Sequence, residues 1–528
     1  MAQIYDAIIV GGGHNGLVCA CYLSQKGMKV RVLESRSIVG GTAVTEEFYP
    51  GFRNSTASYT VSLLNPKIIR DLNLVAHGLT VVERPYANFL PLSAKPGDYL
   101  KVGGSLVETQ KEVGKFSLRD AETLPRYYAM LECVAAILKD LLLETPPNIG
   151  GGISDILQAW KVGKRFKTLD MAARRDVLDL FTKSAGDVLD QYFESDAIKA
   201  CFGFDSVVGN FASPYTPGSA YVLLHHVFGE VNGKPGTWGH ALGGMGAITQ
   251  AMAKEAVARG VVISLNAKVE SVLVEKNVAV GVQLASGEAV LAKCVVSNLN
   301  PKLLFGKLVA KQHVPAEFTR RMNAYKCGSG TFRMNVALSD LPQFGCLPET
   351  GSHLSSGIIM APTMRYMEQA FFDAKTTGWS KQPIVEILIP SIVDDSLAPA
   401  GKHVASLFCQ HVAPTLPNGD CWDDHRETVA DLMIDTVNQY AANFAASVIG
   451  RQIHSPLDLE RKFGLIGGDI FHGVLSLDQL FSSRPILGYA DYRTPVKGLY
   501  QCGASTHPGG GVTGIPGHNA AREILRDH

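Results

Sequence analysis

At 528 residues the chain is long enough for roughly two to four domains with sizeable cores. Lys+Arg and Asp+Glu both number 49, a formal net charge of zero, which argues against nucleic acid as a partner because phosphate binding needs a basic excess. No apolar run approaches the roughly 18 residues that span a bilayer, and a chain that enters a strand by Tyr5 is expected to carry no leader and to be cytoplasmic.

The first predicted strand, Tyr5 to Val10, runs into Gly11, Gly13 and Gly16, spaced GxGxxG, with His14 and Asn15 between the last two. A helix is predicted over Leu17 to Lys26, stopped by Gly27. A strand over Lys29 to Leu33 follows and ends on Glu34. Gly11 permits the tight turn, Gly13 lets backbone approach a pyrophosphate, and Gly16 lets helix and strand pack closely. The helix N-terminus offers free N–H groups to phosphate, and Glu34 can accept hydrogen bonds from a ribose. Strand, glycines, helix, strand and acid in this order predict a bound dinucleotide. Gly40, Gly41 and Thr42 would bring backbone to the pyrophosphate from the other side.

Further along, Ala121 to Leu143 and Ile153 to Phe193 have helical apolar periodicity, broken at Pro146-Pro147 and Gly150-Gly151-Gly152. A helix over Met245 to Ala258 precedes Val261 to Ser264. Strands then follow over Lys268 to Glu275, Val278 to Leu284, Glu288 to Ala292 and Cys294 to Ser297. Strands at Thr331 to Leu338, Ile384 to Pro390 and His403 to His411 would form a sheet flooring a cavity, with a short helix near Met364 to Asp373. At the far end a short strand reaches Gly503. A glycine-lined loop containing Gly511 and Val512 then leads into a helix from Pro516 to Leu525. A second loop contact, with a helix N-terminus able to stabilise a reduced ring, favours FAD over NAD. Gly509 to Gly514 also fits GxGxxG, but too little chain follows it for a second nucleotide site. Gly243-Gly244-Met245-Gly246 lacks the preceding apolar strand.

The fingerprint, Gly40-Gly41-Thr42, the segment Trp238 to Asn298 and the terminus Tyr500 to Asp527 resemble the bacterial-type phytoene desaturase superfamily. The runs Gly12 to Val18, Ala43 to Glu47, Gly467 to His472 and His507 to Val512 are similar to its pyridine nucleotide-disulphide oxidoreductase domain-containing protein 2 branch. The resemblance implies an α/β fold: a Rossmann-like FAD-binding domain of the two-dinucleotide-binding flavoprotein type, with an interleaved α+β substrate domain. The expected FAD domain is discontinuous, over 1–90, 235–310 and 485–528, and the substrate domain takes 91–234 and 311–484. The backbone around Val269 would hold the adenine. The implied activity is hydride abstraction from a small, largely apolar substrate, with an isomerase, a ketolase or an FAD-binding scaffold acting through a protein partner as alternatives. Amine-oxidising relatives often carry an acid after the last strand glycine. Gly503-Ala504-Ser505 stands there instead, which weakens an amine oxidase reading.

His472, His507 and His240 are the candidate catalytic side chains, for proton handling, with structural hydrogen bonding as the competing role. Of ten cysteines only Cys19 and Cys21 are close, and residues two apart on a helix do not face each other. The thiols read as small buried hydrophobes, not a redox pair, and no metal-ligand spacing occurs. Lys161, Lys164, Arg165, Lys167, Arg174 and Arg175 lie among Trp160, Phe166 and Leu169. A solvated helix face offset by Asp170 and Asp176 is the favoured reading, and a peripheral contact with an anionic membrane is the alternative.

Overall fold

The computed structural model describes residues 4–528. Val-, Ile- and Ala-rich strands, the central ones buried on both faces, build a seven-stranded sheet. Its order is Val262–Ser264, Val30–Leu33, Tyr5–Val10, Ala289–Ser297, Val278–Leu284 and Val269–Glu275, with Leu499–Gln501 paired to the end of Ala289–Ser297. The expected strands Glu288 to Ala292 and Cys294 to Ser297 are one strand that changes partners. Residues 289–291 run antiparallel to Val278–Leu284, while 292–297 run parallel to Tyr5–Val10. One strand thus joins the meander to the parallel sheet.

Helix His14–Gln25 packs on this sheet, and the C-terminal helix Ile515–Asp527 packs on that helix. The two touch backbone to backbone, since a Cβ on Gly517 would lie 2.1 Å from the Asn15 carbonyl oxygen. That contact brings the 511–514 loop to the fingerprint helix from the other end of the chain.

The second sheet, also seven-stranded, runs Val448–His454, Phe332–Leu338, His403–Val412, Trp379–Leu388, Gly357–Met360, Tyr86–Pro91 and Tyr99–Gly103. All its pairings are antiparallel except Gly357–Met360 with Tyr86–Pro91. Helix Trp422–Asn438 backs it in an aromatic and aliphatic core. The remaining helices include Leu118–Leu142, capped by the Ser117 hydroxyl on the Asp120 N–H, whose Leu124, Tyr127, Leu131, Val134, Leu138 and Leu141 form one buried stripe. The predicted helix near Met364 extends to Thr377. No helix among the described residues is long and apolar enough to cross a membrane.

Candidate active site

Beyond the C-terminal ends of the parallel strands lies a cavity of about 500 Å³, where an open α/β sheet places a nucleotide. Gly11, Gly13, His14, Asn15, Glu34 and Thr42 line it, and so do Gly41 and Val269. The Glu34 carboxylate braces the turn, accepting from the Gly12 N–H and the Arg36 N–H at 2.8 Å each. Gly40 stands behind the lining, where its N–H donates to the Gly12 carbonyl at 2.8 Å and joins the two glycine turns. Gly16 is forced by contact: a Cβ there would sit 2.3 Å from the Gly11 carbonyl oxygen. Gly503 likewise lies against the Asn298 backbone.

Both polar atoms of the Asn15 side chain, Nε2 of His14 and Nδ1 of His472 are buried without a hydrogen-bond partner. Buried polar atoms ordinarily find one, so a polar ligand is called for. The donor-rich helix start, the bare glycine backbone and these orphan groups fit the pyrophosphate and ring edges of FAD. Arg36, Lys268, Lys307, Arg461 and Lys462 add cationic side chains around the same cavity.

A second cavity, about 120 Å³, meets the first and shares His14, Thr42, His472 and Ala504 with it. Its walls are mostly apolar: Leu63, Val208, Trp238, Met245, Ile248 and Phe471 contribute, with Gly511 and Val512 at the end near the cofactor groove. The run Ala57 to Leu64 forms one whole side. The antiparallel sheet, predicted to floor this space, lies one layer back. Its Phe408 ring stacks on Tyr59 at 5.4 Å, and Arg333 sits 4.3 Å over the same ring.

Of the three candidate histidines only His472 reaches the junction. It is half-buried and held at φ 57°, its carbonyl accepting from the Tyr325 and Ser505 hydroxyls at 3.0 Å each and from Asn300 Nδ2 at 3.4 Å. Three-sided support of a left-handed, non-glycine residue is typical of a site that fixes one side chain's direction. Burial pushes its imidazole down to about 3, with His14 and Arg484 adding to the effect, and burial pushes His14 down to about 4 against the opposing Gly511 backbone. Both rings are therefore neutral at pH 7, each with one lone pair and one N–H. His507 and His240 leave the catalytic set. His507 Nε2 bonds the Leu141 carbonyl at 3.0 Å, and His240 Nε2 bonds Asp394 at 2.9 Å. Neither lines either cavity.

Several residues at the site carry little or no sequence signal. Asn298 follows the Ala289–Ser297 strand directly and donates to the Gly11 carbonyl, so its place after a buried parallel strand is the available signal. Behind Tyr59 lies a polar cluster with no local signature. The Tyr59 hydroxyl donates to Glu386 at 2.6 Å, Arg84 bonds Thr60, and Asp205 is pushed up to about 8 by burial and by the Glu386 charge. Three thiols, of Cys133, Cys327 and Cys421, prove not to be fully buried. Cys21 and Cys327 are both raised to about 12 by burial, the opposite of an activated redox thiol.

A nucleotide groove meeting an apolar cavity at two neutral histidines defines an FAD-dependent oxidoreductase. The chain belongs to the flavin containing amine oxidoreductase family, whose model matches residues 16–332, and its relatives fit the phytoene desaturase-like superfamily. It is 41% identical to rat pyridine nucleotide-disulfide oxidoreductase domain-containing protein 2, over 99% of this chain and 94% of the relative. A limonene dehydrogenase polypeptide of Castellaniella defragrans is 25% identical, over 99% and 94%. Among solved structures, an oxidoreductase from Methanosarcina mazei shares the fold with a TM-score of 0.61 at 16% identity, over 99% of this chain and all of that one.

Proposed function

We propose that the chain dehydrogenates or desaturates a small, largely apolar substrate held in the cavity beside the cofactor. The observation that carries this reading is the shared boundary: His14, Thr42, His472 and Ala504 face both the nucleotide groove and a space walled by Leu63, Val208, Met245, Ile248 and Phe471. FAD bound in the groove supplies a two-electron acceptor for a substrate C–H bond. The protein's own part is to position that bond, keep water out with the apolar wall, and offer His472 as a neutral hydrogen-bonding group. The name of the limonene dehydrogenase relative, which contains that of a hydrocarbon, supports an apolar substrate. Ala504 after the last strand glycine, where amine-oxidising relatives often carry an acid, points the same way.

The test is anaerobic bleaching of the protein's flavin absorbance by a lipid extract of the source organism, set against polar amines. Bleaching by the lipid fraction alone is expected. Bleaching by amines alone, or by neither fraction, overturns the reading. Altered double bonds in the lipid without bleaching would turn it to an isomerase.

A further inference from the structure

Helix Ile153–Lys167 has no buried residue, although nearly half of it is apolar. At 100° per residue Ile153, Ile156, Leu157 and Trp160 fall within one arc of about 100°, and that arc points outward. Ile153 is 78% exposed, Ile156 66% and Trp160 64%. The opposite side, with Val162 and Phe166, packs on the helical core. An amphipathic helix of a soluble surface would keep its outward arc polar.

Charge follows the same face. Lys164 and Lys167 continue the apolar arc, Lys164 lying 5.4 Å over the Trp160 ring, with Lys161 at its edge. The next helix, Met171–Thr182, extends the pattern with exposed Met171 and Leu178 around Arg174 and Arg175. Across residues 153–178 six basic side chains stand against three acidic ones. Asp155 turns inward to the Asn148 N–H and Asp170 is engaged as a helix cap, which leaves the outer face basic.

We propose that this face docks the protein on an anionic lipid bilayer, with the Ile153–Lys167 helix lying in the plane of the interface. Exposed isoleucine and tryptophan side chains give the apolar contact, and the basic residues select acidic headgroups, so each half of the pattern is satisfied by one partner. A solvated helix explains the lysines and leaves the apolar arc without a role.

The helix also has a fixed place relative to the site. Gln158 bonds the Thr145 carbonyl and Arg165 pairs with Glu144 at 2.7 Å, which ties it to the end of helix Leu118–Leu142. Leu142 and Leu143 there line a third cavity of about 170 Å³, which shares Leu63 and Leu64 with the apolar cavity. On the proposed function, docking would set this row of spaces beside the lipid from which an apolar substrate comes.

The flavin-loaded protein is sedimented with vesicles of phosphatidylcholine alone or mixed with phosphatidylglycerol, at low and high salt. Binding to the mixed vesicles is expected, and it should weaken as salt rises. Ile156→Ser with Trp160→Ser, and separately Lys164→Gln with Lys167→Gln, should each lower it by about tenfold or more. Unchanged flavin absorbance shows that the variants are folded. Wild type that stays in solution at low salt, or variants that bind equally well, would overturn the docking face. Self-association through this face without vesicle binding would overturn it too. Vesicle binding is read without turnover, so its failure leaves the dehydrogenase reading standing, and the reverse also holds.

Discussion

The two cavities that meet at His472 are built on different terms. The nucleotide groove is made largely of backbone and fixed polar groups: glycine turns, strand ends, a helix start and the Glu34 brace. The apolar cavity is made of side chains, one wall of it a single run from Ala57 to Leu64. A wall of backbone has little slack where an added atom would meet a carbonyl oxygen, as at Gly16 and Gly503. A wall of side chains can change shape while the backbone stays. One fold can therefore keep its cofactor while its substrate changes, which is how a single family comes to hold dehydrogenases and amine oxidoreductases.

The sharpest way to break that contrast is Gly16→Ala. The new Cβ would lie 2.3 Å from the Gly11 carbonyl oxygen, so the turn must open where the pyrophosphate binds. Overpacking of about 1–3 kcal/mol converts to FAD binding weakened by about fivefold to about 150-fold. The flavin-to-protein ratio of the purified variant measures it, and a full complement of flavin would show that the groove yields more than its backbone suggests.

His472→Asn sits at the boundary and should separate the two halves. Asparagine tolerates the left-handed backbone at φ 57°, so the loop is kept while the imidazole is lost. Flavin content should stay near wild type. Flavin reduction by the apolar substrate should slow by about a hundredfold, the cost of a substrate held off its reacting position. Slowing without loss of flavin places His472 on the chemistry; loss of flavin with it would make the residue part of the cradle.

The same contrast decides what is legible in the chain. The groove can be read because its requirements are local: glycine spacing, an acid at the next strand end and a short apolar run all fall within a few dozen residues. Ala289–Ser297 reads as two strands because its exposed Lys293 interrupts the apolar pattern, and only the sheet shows the strand changing partners there. Gly357–Met360 escapes a sequence reading, for four buried residues carry no period of their own. Nor is the run Ala57 to Leu64 marked by anything but its eventual neighbours. His472 stands out through its motif. His240 and His507 read alongside it, but their partners lie 154 and 366 residues away, and no spacing rule reaches that far.

His507 offers the smallest effect and the finest test of where the site ends. Its Nε2 holds the Leu141 carbonyl, and its ring meets Phe481 edge-on at 5.3 Å. His507→Phe keeps an aromatic ring and removes the hydrogen bond, which should cost about 1–2 kcal/mol at neutral pH. Burial holds the folded imidazole down to about 4, against the Leu141 bond that favours the charged form, while the unfolded one titrates near 6.5. Between those values the unfolded chain binds the extra proton. This residue's share of stability is therefore full above pH 6.5 and is lost as pH falls toward 4, at up to about 1.4 kcal/mol per pH unit. Phenylalanine cannot take that proton. Denaturation curves at pH 7 and pH 5 should show the variant less stable than wild type at the higher pH, and level with it or more stable at the lower. Flavin reduction should be unchanged throughout. A variant as stable as wild type that no longer reduces its flavin would return His507 to the catalytic set and move the boundary of the site one layer outward.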